Sequence, residues 1–115
     1  SGPVGLFDSG WGGLSVARYI RALLPDQDLV YVGDHAWLPY GIRDATTIRA
    51  RAVAMSRWLA AGGSRGIVVA CNTASSLALE QVRVAVPSVP VVGVVPAVKP
   101  AVARSRSGRI AVLAT

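Results

Sequence analysis

Short runs of Val, Ile and Leu recur along this chain, and the segments between them carry a helical period. Few folds accommodate that alternation. Residues 4–7, 29–32, 66–70, 89–95 and 110–114 are each too short for a buried helix and too uniformly apolar for strands with one wet face. Between them, Val16, Ile20 and Leu23 share one helical stripe that Pro25 stops, and Ile48, Ala52, Met55 and Leu59 share another. Asp44 or Thr47 is placed to cap that second helix, and Gly62-Gly63 to end it. A third stripe follows at Ala74, Ala78, Val82 and Ala85, and residues 96–106 read as a helix or turn. Strand, loop and helix repeating in this order predict an α/β fold: a parallel sheet with helices on both faces. Met55 and Trp58 fall on core and boundary positions of that scheme.

With 52% hydrophobic and only 16% charged residues, the 115-residue chain can bury a core and is not disordered. Its longest apolar stretch, residues 84–98, is interrupted by Pro87, Pro90 and Pro96, which argues against a membrane span. No basic segment followed by an apolar one opens the chain, and one cysteine cannot form an internal disulfide, so a soluble, cytoplasmic protein is expected. Ser1-Gly2 resembles a cloning scar and is set aside. Eleven Arg and one Lys against six acids give a net charge of +6. They are scattered, with clusters only at Arg49/Arg51 and Arg104/Arg106/Arg109, no interleaved aromatics and no recognition motif. The expectation is a solvated basic surface that steers anionic metabolites, with no nucleic-acid partner.

Polarity concentrates where strands end. The first run stops at Asp8-Ser9-Gly10-Trp11-Gly12-Gly13, which lacks the residues of a phosphate loop or a dinucleotide fingerprint. The second runs into Gly33-Asp34-His35-Ala-Trp37-Leu-Pro39-Tyr40-Gly41. His35 has no second His or Cys at ligand spacing, so no metal site is expected; Trp37 and Tyr40 either anchor this loop or face a ligand. The third delivers the single cysteine to Cys71-Asn72-Thr73-Ala-Ser75-Ser76, at a helix start. Two readings of Cys71 stand there. Helix N–H groups and the helix dipole favour a thiolate, with a pKa below the ordinary value of about 8.5; alternatively Cys71 is an inert small hydrophobe. In a parallel sheet these ends share one edge, so Asp8, Cys71 and several hydroxyl and amide groups converge. That set suits proton abstraction from carbon or acyl transfer, with Asp8 tuning Cys71.

Four segments, taken in order, resemble the glutamate racemases of the cofactor-independent aspartate/glutamate racemase superfamily. They are Phe7-Asp8-Ser9-Gly10-Trp11-Gly12-Gly13-Leu14, Tyr31-Val-Gly-Asp34 through Pro39-Tyr40-Gly41, Val69-Ala70-Cys71-Asn72-Thr73-Ala74-Ser75, and Val91-Val-Gly-Val-Val-Pro96-Ala97. The resemblance implies an enzyme interconverting L- and D-glutamate for peptidoglycan synthesis through two cysteines on opposite faces of the substrate. Cys71 would be the base acting on D-glutamate, and Asp8 would assist it. Ser9, Pro39, Tyr40, Gly41, Asn72 and Thr73 would hold the substrate's carboxylate and ammonium groups. No cofactor, neither pyridoxal phosphate nor a metal, is implied.

The chain departs from the family at Trp11, His35 and Trp37, where a small aliphatic residue, Thr and Arg are usual, and the family's second catalytic cysteine, in a Gly-Cys-Thr-His segment, has no counterpart in it. On the family's plan, residues 3–97 would form a first lobe lacking its returning C-terminal segment, and residues 98–115 a hinge and the first strand of a second lobe. Such a lobe is expected to be inactive alone, or to exchange a proton on one face, and to self-associate, possible homodimer formation being driven by apolar faces left uncovered. Two alternatives remain: a racemase of another amino acid such as aspartate, or a non-catalytic half-domain that self-associates or binds a partner.

Overall fold

The computed structural model describes residues 1–113. Four parallel strands, β1 (Val4–Asp8), β2 (Leu29–Gly33), β3 (Gly66–Val69) and β4 (Val91–Gly93), form one sheet in the order β2-β1-β3-β4. The helices are α1 (Leu14–Leu23), α2 (Ala45–Ala61), α3 (Asn72–Ala85) and α4 (Val98–Arg104), with short 3-10 turns at His35–Trp37 and Tyr40–Ile42. None of the helices among the described residues is long and apolar enough to cross a membrane. Parallel pairing sets Phe7 beside Val32 on one side and Val69 on the other, so β1 is an inner strand with both edges bonded.

Right-handed crossovers place α1 on one face of such a sheet and α2 with α3 on the other. The core lies on the α2/α3 face. Ile48, Ala52 and Leu59 of α2 and Ala74, Ala78 and Val82 of α3 pack on Phe7, Ile67, Val69 and Val91. The alanines lack bulk at the contact, and α2 and α3 pack on each other as well as on the sheet. Asp44 caps α2 by accepting from the Thr47 N–H at 2.7 Å, and that bond holds its carboxyl below the usual range. At the other end Gly63 takes φ +91°, a conformation that side chains disfavour. Ser56, in the same buried stripe, has a hydroxyl with no hydrogen-bond partner.

Three features differ from the sequence expectation. α1 buries none of its residues, leaving Tyr19 71% and Leu23 67% exposed; the sheet is thickly covered on one face only. β4 is confined to Val91–Gly93, inside the expected 89–95. Pro90 has no N–H for a ladder, although its carbonyl accepts from Ile67, and the Val94 N–H turns to Ser75 Oγ at 3.0 Å. The expected strand at 110–114 is not formed through residue 113, and residue 114 lies outside the described residues. An apolar run becomes a strand only where another strand supplies its partner groups, and Ile110, Val112 and Leu113 are exposed.

Candidate active site at the strand ends

Because the strands are parallel, β1, β2 and β3 release their following loops along one edge. Asp8 is the last residue of β1 and is 4% exposed. Its Oδ2 accepts from the Gly13 N–H at 2.6 Å and the Tyr31 hydroxyl at 2.7 Å. Glycine is needed at 13: a Cβ there would stand 2.8 Å from Asp8 Oδ2 and 2.9 Å from Ala70 Cβ. Tyr31 reaches along the sheet from two positions below the end of β2, and the same hydroxyl lies 2.8 Å from the Gly10 carbonyl. Burial, then the bond to Asp8, pushes the Tyr31 phenol well above its ordinary range.

The Ala70 N–H bonds the Phe7 carbonyl at 2.7 Å, so the chain leaves β1 and β3 side by side. This brings Ser9 and Cys71 together, with Oγ and Sγ 3.5 Å apart. Cys71 is extended (φ −110°, ψ 124°) and serves as the N-cap of α3, its sulfur accepting from the Ala74 N–H at 3.4 Å. The sulfur therefore sits at the positive end of the α3 dipole. It is also nearly buried, at 7% residue exposure. Asn72 and Thr73 follow in the first turn of α3, Asn72 exposed and Thr73 half-buried.

The loop after β2 is held from within. Asp34, 5% exposed, receives two bonds of 2.8 Å from the Arg51 guanidinium of α2 and one of 2.6 Å from the Tyr40 hydroxyl. Burial disfavours its charge, but these donors outweigh burial and hold the carboxyl below the usual range. The Tyr40 phenol is pushed far up by burial and then by Asp34. Trp37 lies against two guanidinium groups, with Arg51 at 4.9 Å and Arg43 at 5.2 Å from its ring centre. The Leu38–Pro39 bond is cis. Tyr40 is thus an anchor whose side chain points inward to Asp34 and Phe7, while Pro39 and Gly41 on either side are exposed.

The structure brings Asp8, Ser9 and Cys71 into one cluster, with Asn72 and Thr73 adjoining. Pro39, Tyr40 and Gly41 form the neighbouring rim, and the Tyr40 hydroxyl is engaged away from it. Sequence reasoning missed Tyr31, Asp34 and Arg51 as parts of the assembly. Asp34 at a strand end was the available signal; Arg51 gave none, because its partner is 17 residues away. No group of three or more His, Cys, Asp and Glu among the described residues is placed to hold a metal ion.

The site chemically joins a thiol, a carboxylate, hydroxyls and a helix N-terminus, a set able to move a proton and to steady an anion. Comparison with known proteins finds the same arrangement of chain. The chain is 53% identical over 113 residues to the glutamate racemase of Roseiflexus sp. (strain RS-1), a match covering 98% of this chain and 42% of that relative. Among solved structures, Escherichia coli glutamate racemase in complex with L-glutamate and the activator UDP-MurNAc-Ala superposes with a TM-score of 0.86 at 43% identity, over 93% of this chain and 41% of that one. Glutamate racemase from Aquifex pyrophilus gives 0.83 at 47% identity, over 90% and 41%. The chain therefore spans about two-fifths of the length of these relatives and matches one lobe of their fold. The Asp/Glu/hydantoin racemase profile matches residues 14–115, and on this ground the chain belongs to the Asp/Glu/hydantoin racemase family.

Proposed function

We propose that this chain is the Cys71-bearing lobe of a cytoplasmic glutamate racemase that supplies D-glutamate for peptidoglycan. The observation that carries the reading is the placement of Cys71 Sγ at the start of α3, 3.5 Å from Ser9 Oγ. Relatives named glutamate racemase, among them one solved with L-glutamate, support the substrate.

In the proposed step the Cys71 thiolate takes the α-proton of D-glutamate. The C–H bond breaks, an S–H bond forms, and the electron pair stays on the α-carbon, delocalised into the carboxylate. That proton is very weakly acidic, so the planar intermediate needs oriented donors more than it needs a strong base. Ser9, Asn72 and Thr73, with the backbone of Pro39, Tyr40 and Gly41, would hold the substrate's carboxylate and ammonium groups. Asp8, held by Gly13 and Tyr31, would assist proton transfer at the sulfur. Inversion then requires a proton delivered to the opposite face. Cys71 is the chain's one cysteine, so the second acid is a group beyond those assigned here, and residues 98–115 would lead from this lobe toward the one that carries it.

The test is α-proton exchange in D2O, followed by NMR with D-glutamate, L-glutamate and D-aspartate in separate samples. Loss of the D-glutamate signal alone, abolished by Cys71→Ala, is expected. Exchange that survives Cys71→Ala would remove Cys71 from the mechanism. No exchange by a folded chain would confine this lobe to a structural role, and preferential exchange of D-aspartate would reassign the substrate.

A further inference from the structure

The Gly10 carbonyl, one residue beyond Ser9, is the meeting point of two side chains from the end of β2. The Tyr31 hydroxyl lies 2.8 Å from it, and His35 Nε2 lies 3.2 Å from it. Tyr31 has one hydroxyl proton and two acceptors, the second being Asp8 Oδ2 at 2.7 Å. A charged acceptor takes the stronger bond, so the proton belongs to Asp8 and the carbonyl needs another donor. A carbonyl can only accept, and so Nε2 of His35 carries the proton that satisfies it.

Two more contacts bear on the same point. The His35 ring stacks on Trp11, with centres 4.0 Å apart and planes inclined by 42°. Leu38 lies so close over Gly10 that a Cβ there would meet its methyl at 3.1 Å. His35 can reach the carbonyl because Gly33 has no side chain: a Cβ at 33 would stand 2.5 Å from Nε2. Trp11 is 68% exposed, so its ring is held by His35 and not by a core.

We propose that Tyr31, which holds Asp8, and His35, which holds the Gly10 carbonyl and is stacked on Trp11, clamp the segment after β1 at two points and so position Ser9 over the Cys71 sulfur and Asp8 beside it. Tyr31 and His35 are positioning residues for the reaction proposed above. The inference rests on that reading for its purpose, but the clamp itself is testable without turnover. The chain contains one cysteine and one histidine, so both ends of the clamp give a single unambiguous signal.

The experiment measures the rate of Cys71 alkylation by iodoacetamide in the folded chain, alongside the His35 ring-proton resonances. His35→Leu removes the donor at similar size, while His35→Gln keeps an N–H at a similar reach. Loss of one such bond corresponds to a rate gain of about fivefold for His35→Leu. Tyr31→Phe is expected to increase the rate by at least as much, and His35→Gln to stay within about twofold of the parent. Trp11→Leu, at an exposed position, is expected to shift the His35 resonances downfield as the ring current is lost. Parent-like alkylation in both Tyr31→Phe and His35→Leu would overturn the clamp. Equal acceleration by His35→Leu and His35→Gln would overturn the role of the hydrogen bond, and unmoved His35 resonances in Trp11→Leu would overturn the stacking. Absent α-proton exchange in the parent would count against the catalytic reading while leaving these readouts to judge the clamp.

Discussion

Tyr40→Phe isolates one bond in the network that holds the loop after β2. The hydroxyl lies 2.6 Å from Asp34 Oδ2, on a residue only 3% exposed, and Phe fills the same ring volume without opening a cavity. A hydrogen bond to a charged acceptor contributes about 1.5–3 kcal/mol. Asp34 keeps its two bonds from Arg51 in the variant, so the expected loss is near the middle of that range, about 2 kcal/mol. For a domain of this size that corresponds to a fall in Tm of roughly 8 °C. Urea unfolding followed by far-UV circular dichroism at pH 7 measures it. The pH dependence adds a second requirement. The folded-state carboxyl of Asp34 is depressed, so its contribution is complete above the unfolded value of about 3.9 and disappears as pH falls through the lower folded value. Tyr40 donates to the ionised form, and the gap between parent and variant should therefore shrink on acidification below about pH 4. No gap at pH 7, or a gap unchanged down to about pH 2, where Asp34 is protonated in the unfolded chain, would mean that the Tyr40 hydroxyl does not stabilise the fold through the ionised Asp34.

Two further substitutions test the packing around the site. Ser75 donates to the Val69 carbonyl and accepts from the Val94 N–H, both at 3.0 Å, so Ser75→Ala should cost about 2 kcal/mol by chemical denaturation and leave the Val94 amide exchanging faster. Ser56→Ala should go the other way, raising the midpoint by up to about 1 kcal/mol of stability, because it deletes a buried hydroxyl with no partner and restores a better helix former.

The sheet and its polar edge were legible because their signals are local. β1, β2 and β3 are short apolar runs ending at Gly, Asp or Cys, and α2 advertises its start with Asp44 and its end with Gly62-Gly63. Asp8, Ser9 and Cys71 could be brought together on paper because parallel strands leave little choice of edge. What escaped depends on partners distant in sequence. Arg49 and Arg51 read as a surface pair, yet Arg51 turns to Asp34 while Arg49 donates to the Leu77 carbonyl on α3. Tyr31 read only as a strand residue, although its hydroxyl reaches Asp8. The run at 110–114 has the composition of a strand but no paired neighbour through residue 113, and composition does not reveal whether a neighbour exists. The amphipathic pattern of α1 predicted a covering partner in the same way, and its stripe stays open.

The way β1 is flanked gives the site parts of unequal stiffness. Asp8 belongs to a strand laced on both sides, and Cys71 joins an inner strand to a fourteen-residue helix; neither can shift without disturbing the sheet. Pro39 and Gly41 belong to a loop tied down through side chains, by Tyr40 and Arg51 meeting at Asp34. The groups proposed to react thus stand on a strand bonded along both edges and at a helix start, while the rim proposed to grip a ligand hangs on side-chain contacts, chief among them those meeting at Asp34. On that proposal a ligand that fits poorly would be accommodated by the rim and not by the thiol, so adjustments of grip need not disturb the geometry of the bond that would break.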